Sequence, residues 1–127
     1  MEKHILELQQ VSKVYGTVNA LTAIDLHVRE GEWLAIMGPS GSGKTTLMNI
    51  IGCMDKPSFG KVVLDGQDVT AATMRELTAI RRDKIGLIFQ QFHLVSYLTA
   101  LENVMMAQYY HSMVDEREAM AALERVG

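Results

Sequence analysis

Gly38-Pro39-Ser40-Gly41-Ser42-Gly43-Lys44-Thr45 fits the pattern G-x-x-x-x-G-K-[ST], and the flanking residues supply the context that pattern needs. Before it, Trp33-Leu34-Ala35-Ile36-Met37 reads as a short buried strand, and after it Thr46-Leu47-Met48-Asn49-Ile50-Ile51 reads as the opening of a helix. Glycines let the backbone adopt conformations closed to other residues and approach a ligand without a Cβ in the way. Successive N–H groups then face inward and make an anion-binding concavity. The following helix adds unpaired amides and the positive end of its dipole. Lys44 brings a full charge to the β/γ-phosphates, and Thr45 offers a hydroxyl to Mg²⁺.

Working outward, the N-terminal third is rich in strand signals. Ile5, Leu6 and Leu8 lead into Val11-Ser12-Lys13-Val14-Tyr15-Gly16, and apolar residues at Ala20, Ile24, Leu26 and Val28 alternate over the last three. Glu30-Gly31-Glu32 is a turn. Beyond the loop helix, Pro57-Ser58-Phe59-Gly60 breaks the chain. Val62-Val63-Leu64-Asp65-Gly66-Gln67-Asp68-Val69 reads as strand, Asp-Gly turn and strand. Thr73 to Lys84 is expected to be helical with Met74, Leu77 and Ile80 on one face, and Ile85-Gly86-Leu87-Ile88-Phe89 to be a second buried strand ending at Gln90-Gln91. Thr99 with Glu102 makes a capping box for a helix through Val104, Met105 and Met106. Asp115 opens the next helix, with Ala119, Ala122, Leu123 and Val126 as its stripe. A β-rich start, α/β middle and helical end imply a parallel core sheet with sub-domains attached.

Composition narrows the function. The 127 residues make one domain or part of one, with 48% hydrophobic residues, enough for a core. With 12 basic and 15 acidic residues the net charge is −3, which argues against nucleic acid as the main partner. The basic run Arg81-Arg82-Asp83-Lys84 is interrupted by an aspartate and reads as a solvated helix end. The single cysteine, Cys53, suits a reducing compartment and reads as a packed apolar residue. The N-terminus has no signal-peptide layout, and no apolar run approaches the length of a membrane span. Both point to the cytoplasm.

A phosphate loop is shared by many nucleotide proteins, but the Asn-Lys-x-Asp segment of guanine readers is absent from this sequence. The ordered set Val11–Gly16, Gly38–Leu47, Ile50-Ile51-Gly52, Ile85–Phe92 and Leu98-Thr99-Ala100-Leu101-Glu102-Asn103-Val104 resembles the ATP-binding subunit of an ABC transporter. Within that superfamily it is most similar to the group serving lipoprotein release, macrolide and antimicrobial-peptide export, and the cell-division ABC complex. The resemblance implies an α/β P-loop NTPase of the ABC ATPase kind, truncated, with an N-terminal antiparallel β sub-domain and the start of a helical sub-domain. Expected segments are 1–31 (β sub-domain), 32–54 (phosphate-loop strand and helix), 55–90 (β hairpin, helix and glutamine-loop strand) and 91–127 (start of the helical sub-domain).

Roles follow the resemblance position by position. Tyr15 matches the aromatic residue that stacks on adenine, against the alternative of a half-buried strand tyrosine. Gly38, Pro39, Ser40, Gly41, Ser42, Gly43, Lys44, Thr45 and Thr46 match the phosphate cradle, with Lys44 catalytic and Thr45 on the metal. Gln90, preferred over the adjacent Gln91, matches the glutamine that reaches Mg²⁺ and the attacking water. Phe92, Leu94, Tyr97 and Leu98 are candidates for contact with a membrane permease. Met105 and Met106 stand behind them and are read first as ordinary core of the helical sub-domain, with the groove as the alternative. His93 is read as a surface loop residue.

The family pattern is incomplete in these residues. They contain no Leu-Ser-Gly-Gly-Gln signature and no apolar strand ending in Asp-Glu, and His4, His27, His93 and His111 stand in the wrong context for the histidine that senses the γ-phosphate. The expectation is therefore the front part of a longer ATPase. The complete protein would bind MgATP, pair head to tail with a second ATPase subunit around two nucleotides, and hydrolyse ATP to power an export complex. It would sit at the inner face of the cell membrane through a permease partner. The 127 residues alone are expected to be inactive. The rival readings are a soluble, non-transport ABC ATPase and a non-catalytic nucleotide-binding fragment.

Overall fold

The computed structural model describes residues 3–127, which divide into two compact units, one through Arg81 and the other Arg82–Gly127. The first is built on a four-stranded antiparallel sheet of order β2-β1-β3-β4. Its strands are β1 (His4–Tyr15), β2 (Val18–Arg29), β3 (Phe59–Leu64) and β4 (Gln67–Asp68). β1 and β2 form a long hairpin closed at Gly16-Thr17, where Gly16 has φ +60°. β3 and β4 close through Asp65-Gly66 with φ +49° and +78°, the paired positive values an Asp-Gly hairpin turn requires. The β3–β4 hairpin adds to the opposite edge of β1, so it shares one sheet with the N-terminal strands.

Alternation along β1 places Leu6 and Leu8 in the core, and a bulge keeps Val11 there too. The register slips by one residue between Leu8 and Val11 against β2 and between Gln9 and Ser12 against β3, with Gln10 at φ +48° taking up the extra length. Its amide donates to Asp25 Oδ1 at 2.9 Å, and its side chain also donates to the Asp25 carboxylate. Opposite the bulge lies Gly60 at φ +95°, where a Cβ would stand 2.3 Å from the Gln10 carbonyl oxygen. Only glycine fits that backbone-to-backbone approach. The Pro57–Gly60 break is thus shorter than expected, since Phe59 and Gly60 already belong to β3.

Two helices complete this unit: α1 (Lys44–Ile51) and α2 (Met74–Lys84), whose last turn passes into the second unit. Ile50 of α1, Cys53 just past it, and Leu77 and Ile80 of α2 are buried with Leu8, Val11 and Val62. The expected third member of the α2 face, Met74, is 62% exposed; Val69 and Ala72, ahead of the helix, are buried instead. Burial pushes the Cys53 thiol above its ordinary range, with Arg81 opposing, as suits a packed apolar residue. The Arg81 guanidinium donates to the Cys53 carbonyl at 2.6 Å.

The second unit holds α3 (Ala100–His111) and α4 (Glu116–Val126). The Thr99–Glu102 capping box is formed in both directions, at 3.0 and 3.1 Å. Asp115 caps α4 by accepting from the Glu118 amide. Gln108 closes the turn between the helices with hydrogen bonds to both the N–H and the carbonyl of Asp115. The α4 stripe is narrower than expected: Ala119 is buried, Leu123 half-buried, and Ala122 and Val126 exposed.

Among the described residues the two strands expected at Trp33–Met37 and Ile85–Phe89 are not formed, and neither is the parallel core sheet they were to build. Both runs belong to no strand among the described residues, and Trp33 and Ile88 stand fully exposed. An apolar run becomes a strand only when a neighbour satisfies its backbone N–H and C=O groups.

Gly60→Ala is expected to destabilise the first unit by about 2 kcal/mol or more, because positive φ and a backbone clash coincide there. Urea unfolding followed by circular dichroism measures this; an unchanged midpoint would show that the bulge relaxes freely.

Candidate phosphate-binding site

The loop between β2 and α1 wraps around a cavity of about 690 Å³ lined by Val18, Asn19, Ala20 and the backbone and side chains of 40–46. Gly41 at φ +82° and Gly43 at φ +92° give the loop its curl. Gly43 is also the N-cap of α1, and a Cβ there would lie 2.7 Å from the Ala20 carbonyl oxygen and 3.1 Å from Leu21 Cδ2. The glycine thus seats the loop directly on β2.

From Gly43 the chain turns helical, with the Leu47 amide donating to the Gly43 carbonyl at 2.9 Å. The amides of the first helical turn have no partner within their own helix and carry the positive end of the dipole. α1 begins at Lys44, two residues before the position expected from the apolar run. That places Lys44 and Thr45 in the first turn. The Lys44 ammonium is gathered into the loop, donating to the carbonyls of Gly38 and Pro39 (2.7 Å to the latter) and lying 3.4 Å from Ser42 Oγ. The Thr45 side chain is exposed and lines the same cavity. Oxygen donors of this kind suit Mg²⁺, which keeps much of its water and takes its remaining ligands from phosphates.

Tyr15 stands at the end of β1, 46% exposed, and does not line the loop cavity. Its hydroxyl donates to Asp55 Oδ2 at 2.7 Å, which raises the phenol pKa, and it also interacts with Thr46 in the loop helix. The Lys13 ammonium lies 5.1 Å from the ring centroid and reaches Asp55 Oδ1 at 3.1 Å and the Lys56 carbonyl at 2.7 Å. Burial alone would raise the Asp55 carboxyl; bonds from Tyr15, Lys13 and the Lys56 amide outweigh it and hold it below the ordinary range. Neither Asp55 nor the cavity wall at 18–20 was foreseen. A hairpin at Gly16-Thr17 was the available signal for the wall; Asp55 had none.

Gln90 belongs to the second unit, exposed in the irregular segment after α2. There Phe92, Leu94 and Tyr97 are 89%, 66% and 86% exposed, and Leu98 is half-buried. Met105 and Met106 are half-buried on α3. Asn103 fastens the end of this loop: its Oδ1 accepts from the Val95 amide at 2.9 Å, and its Nδ2 donates to the carbonyls of Val95, Leu98 and Thr99. His93, at φ +50°, is exposed and packs its ring 4.5 Å from that of Phe89.

Because its carboxyl is held low, Asp55 stabilises the fold fully above the free carboxylate value of about 3.9, and the contribution is lost as pH falls through the lower folded value. Asp55→Asn should cost roughly 1 kcal/mol at neutral pH and progressively less below about pH 4. Paired thermal melts across that range test it; a gap that stays constant would exclude the carboxylate as the cause.

Residues 21–127 match the ABC transporter family. An uncharacterized ABC transporter ATP-binding protein of Methanocaldococcus jannaschii, MJ0796, is 46% identical over 94% of this chain and 54% of its own length. A macrolide export ATP-binding/permease protein, MacB 1/2 of Paracoccus denitrificans, is 45% identical over 97% of this chain and 20% of its own. The dimeric post-hydrolysis structure of the MJ0796 cassette bound to ADP and Pi superposes with a TM-score of 0.85 at 46% identity, covering 94% of this chain and 54% of that one. The chain thus spans about half of the stand-alone cassette and a fifth of the fused exporter. It belongs to the ABC transporter ATP-binding family, and forms the N-terminal portion of an ABC ATPase cassette with homologues among the macrolide exporters.

Proposed function

We propose that this chain is the nucleotide-holding part of a transport ATPase: it binds MgATP at Gly38–Thr46 and, in the complete protein, contributes to ATP hydrolysis that drives a membrane permease. The observation that carries the reading is the loop curled by Gly41 and Gly43 around the Lys44 ammonium at the start of α1. Backbone amides and the helix dipole receive the β-phosphate, and Lys44 exchanges its carbonyl contacts for β/γ-phosphate oxygens. Thr45 supplies the protein hydroxyl for Mg²⁺, whose charge neutralises the phosphates when bound. Tyr15 offers a ring face to adenine, with its hydroxyl end held by Asp55. Gln90 has the role of positioning the metal and the attacking water in the assembled site.

The exposed Phe92, Leu94 and Tyr97, on a loop fastened by Asn103, suit a permease segment that brings apolar side chains of its own. Export is the favoured direction, because MacB 1/2 is by name a macrolide exporter. In this reading the complete protein pairs with a second ATPase subunit and works at the inner face of the membrane. Among the described residues no helix is long and apolar enough to cross a membrane.

Hydrolysis needs a polarising carboxylate and a signature segment that these residues do not contain, so the 127-residue chain binds without turning over. Lys44→Ala should weaken binding of a fluorescent ATP analogue about tenfold to a hundredfold, since it removes a charge-assisted contact of roughly 1.5–3 kcal/mol. Equal affinity of parent and variant would sink the loop assignment. Phosphate release by the parent chain at the rate of an intact transporter ATPase, abolished by Lys44→Ala, would overturn the proposed division between holding and hydrolysis.

A further inference from the structure

On the face of the β1–β2 hairpin opposite the core, His4, Glu7 and His27 bring one ligand atom each within 4.8 Å of one another. Glu7 and His27 are direct cross-strand partners and therefore share a face. His4 stands three residues before Glu7, and on a regular strand that spacing would send it to the other side. A bulge corrects this: His4 pairs with Arg29 and Leu6 with Val28, so Ile5 is the extra residue and His4 is turned onto the face of Glu7. His4 Nδ1 lies 3.0 Å from Glu7 Oε1, and the two imidazole rings stand 5.0 Å apart, tilted by 33°.

We propose that His4, Glu7 and His27 form a binding site for a transition-metal dication of the zinc type, separate from the Mg²⁺ expected at the phosphate loop. Two imidazoles and one carboxylate are a donor set that zinc accepts, leaving a further position for water. Hard cations such as Mg²⁺ and Ca²⁺ prefer all-oxygen surroundings and do not compete well for imidazole. Tetrahedral ligands at about 2.1 Å lie roughly 3.4 Å apart, so the three groups need only small rotamer changes. His4 and His27 are exposed and Glu7 half-buried, which leaves them room to make those changes. Gln9 Nε2, 3.5 Å from Glu7 Oε2, steadies the second carboxylate oxygen. Arg29, the cation opposite His4, is drawn towards Glu32 at 3.9 Å. A bound ion would clip the two longest strands together beside the bulge.

Calorimetric titration of the tag-free chain with Zn²⁺ alone, in a large excess of Mg²⁺, tests the site. One saturable equivalent is expected, and His27→Ala, His4→Ala and Glu7→Gln should each weaken it by roughly tenfold or more. His93→Ala and His111→Ala should leave it unchanged. Circular dichroism identifies any variant that fails to fold, and the Co²⁺ complex of the parent should show d–d absorption that Zn²⁺ displaces. Absence of saturable uptake by the parent overturns the proposal, as does uptake that survives loss of His27 and Glu7. Either result leaves the nucleotide reading untouched, because Lys44 takes no part.

Discussion

Everything at the phosphate loop depends on one close contact, the approach of Gly43 to the Ala20 carbonyl, where any side-chain carbon would stand at 2.7 Å. The contact fixes the position at which the chain leaves the loop and starts α1, and with it the direction in which the first-turn amides point. Lys44 follows directly, so its side chain starts within reach of the loop and its ammonium meets the carbonyls of Gly38 and Pro39. Sequence conveys the need for glycine here only as a motif; the structure gives the cause, a strand carbonyl occupying the space.

The other end of α1 is tied down by charge. Asp55, just beyond the helix, takes Tyr15 and Lys13 from β1, so both ends of the loop helix are anchored on the same hairpin. One anchor is steric and independent of pH, while the other is electrostatic. The two bulged positions in β1 act as a second pair of constraints. The Gln10 bulge keeps Val11 in the core and needs Gly60 as its neighbour, and the Ile5 bulge rotates His4 to the opposite surface.

Features encoded within a few residues were legible from the chain. The Asp65-Gly66 turn, the Thr99–Glu102 capping box, the Asp115 cap and the glycine loop all formed where they were read, because each depends on backbone geometry and hydrogen bonds among near neighbours. Trp33–Met37 and Ile85–Phe89 failed because apolar composition states that a segment wants burial but not what will pair with it. Met74 and Val126 carry the same lesson on helices: periodicity names a face, and packing decides how much of it is covered. Tyr15 and Lys44 are named by family motifs, whereas Asp55 is brought to Tyr15 and Lys13 only by tertiary structure, forty residues from Tyr15 in the chain.

Trp33 is the sole tryptophan of the chain and its indole is 99% exposed, a few residues ahead of the phosphate loop. These residues therefore carry one indole beside four tyrosines, and red-edge excitation selects it; it is sited on the run whose strand pairing is missing among the described residues. Its emission should be that of indole in water, red-shifted and open to collisional quenchers. Any partner strand that covers the run will move the emission to the blue and shield it. A spectrum already blue in the free chain would mean that the indole is covered. Assembly at this edge can thus be followed optically without a label, apart from any measurement of nucleotide.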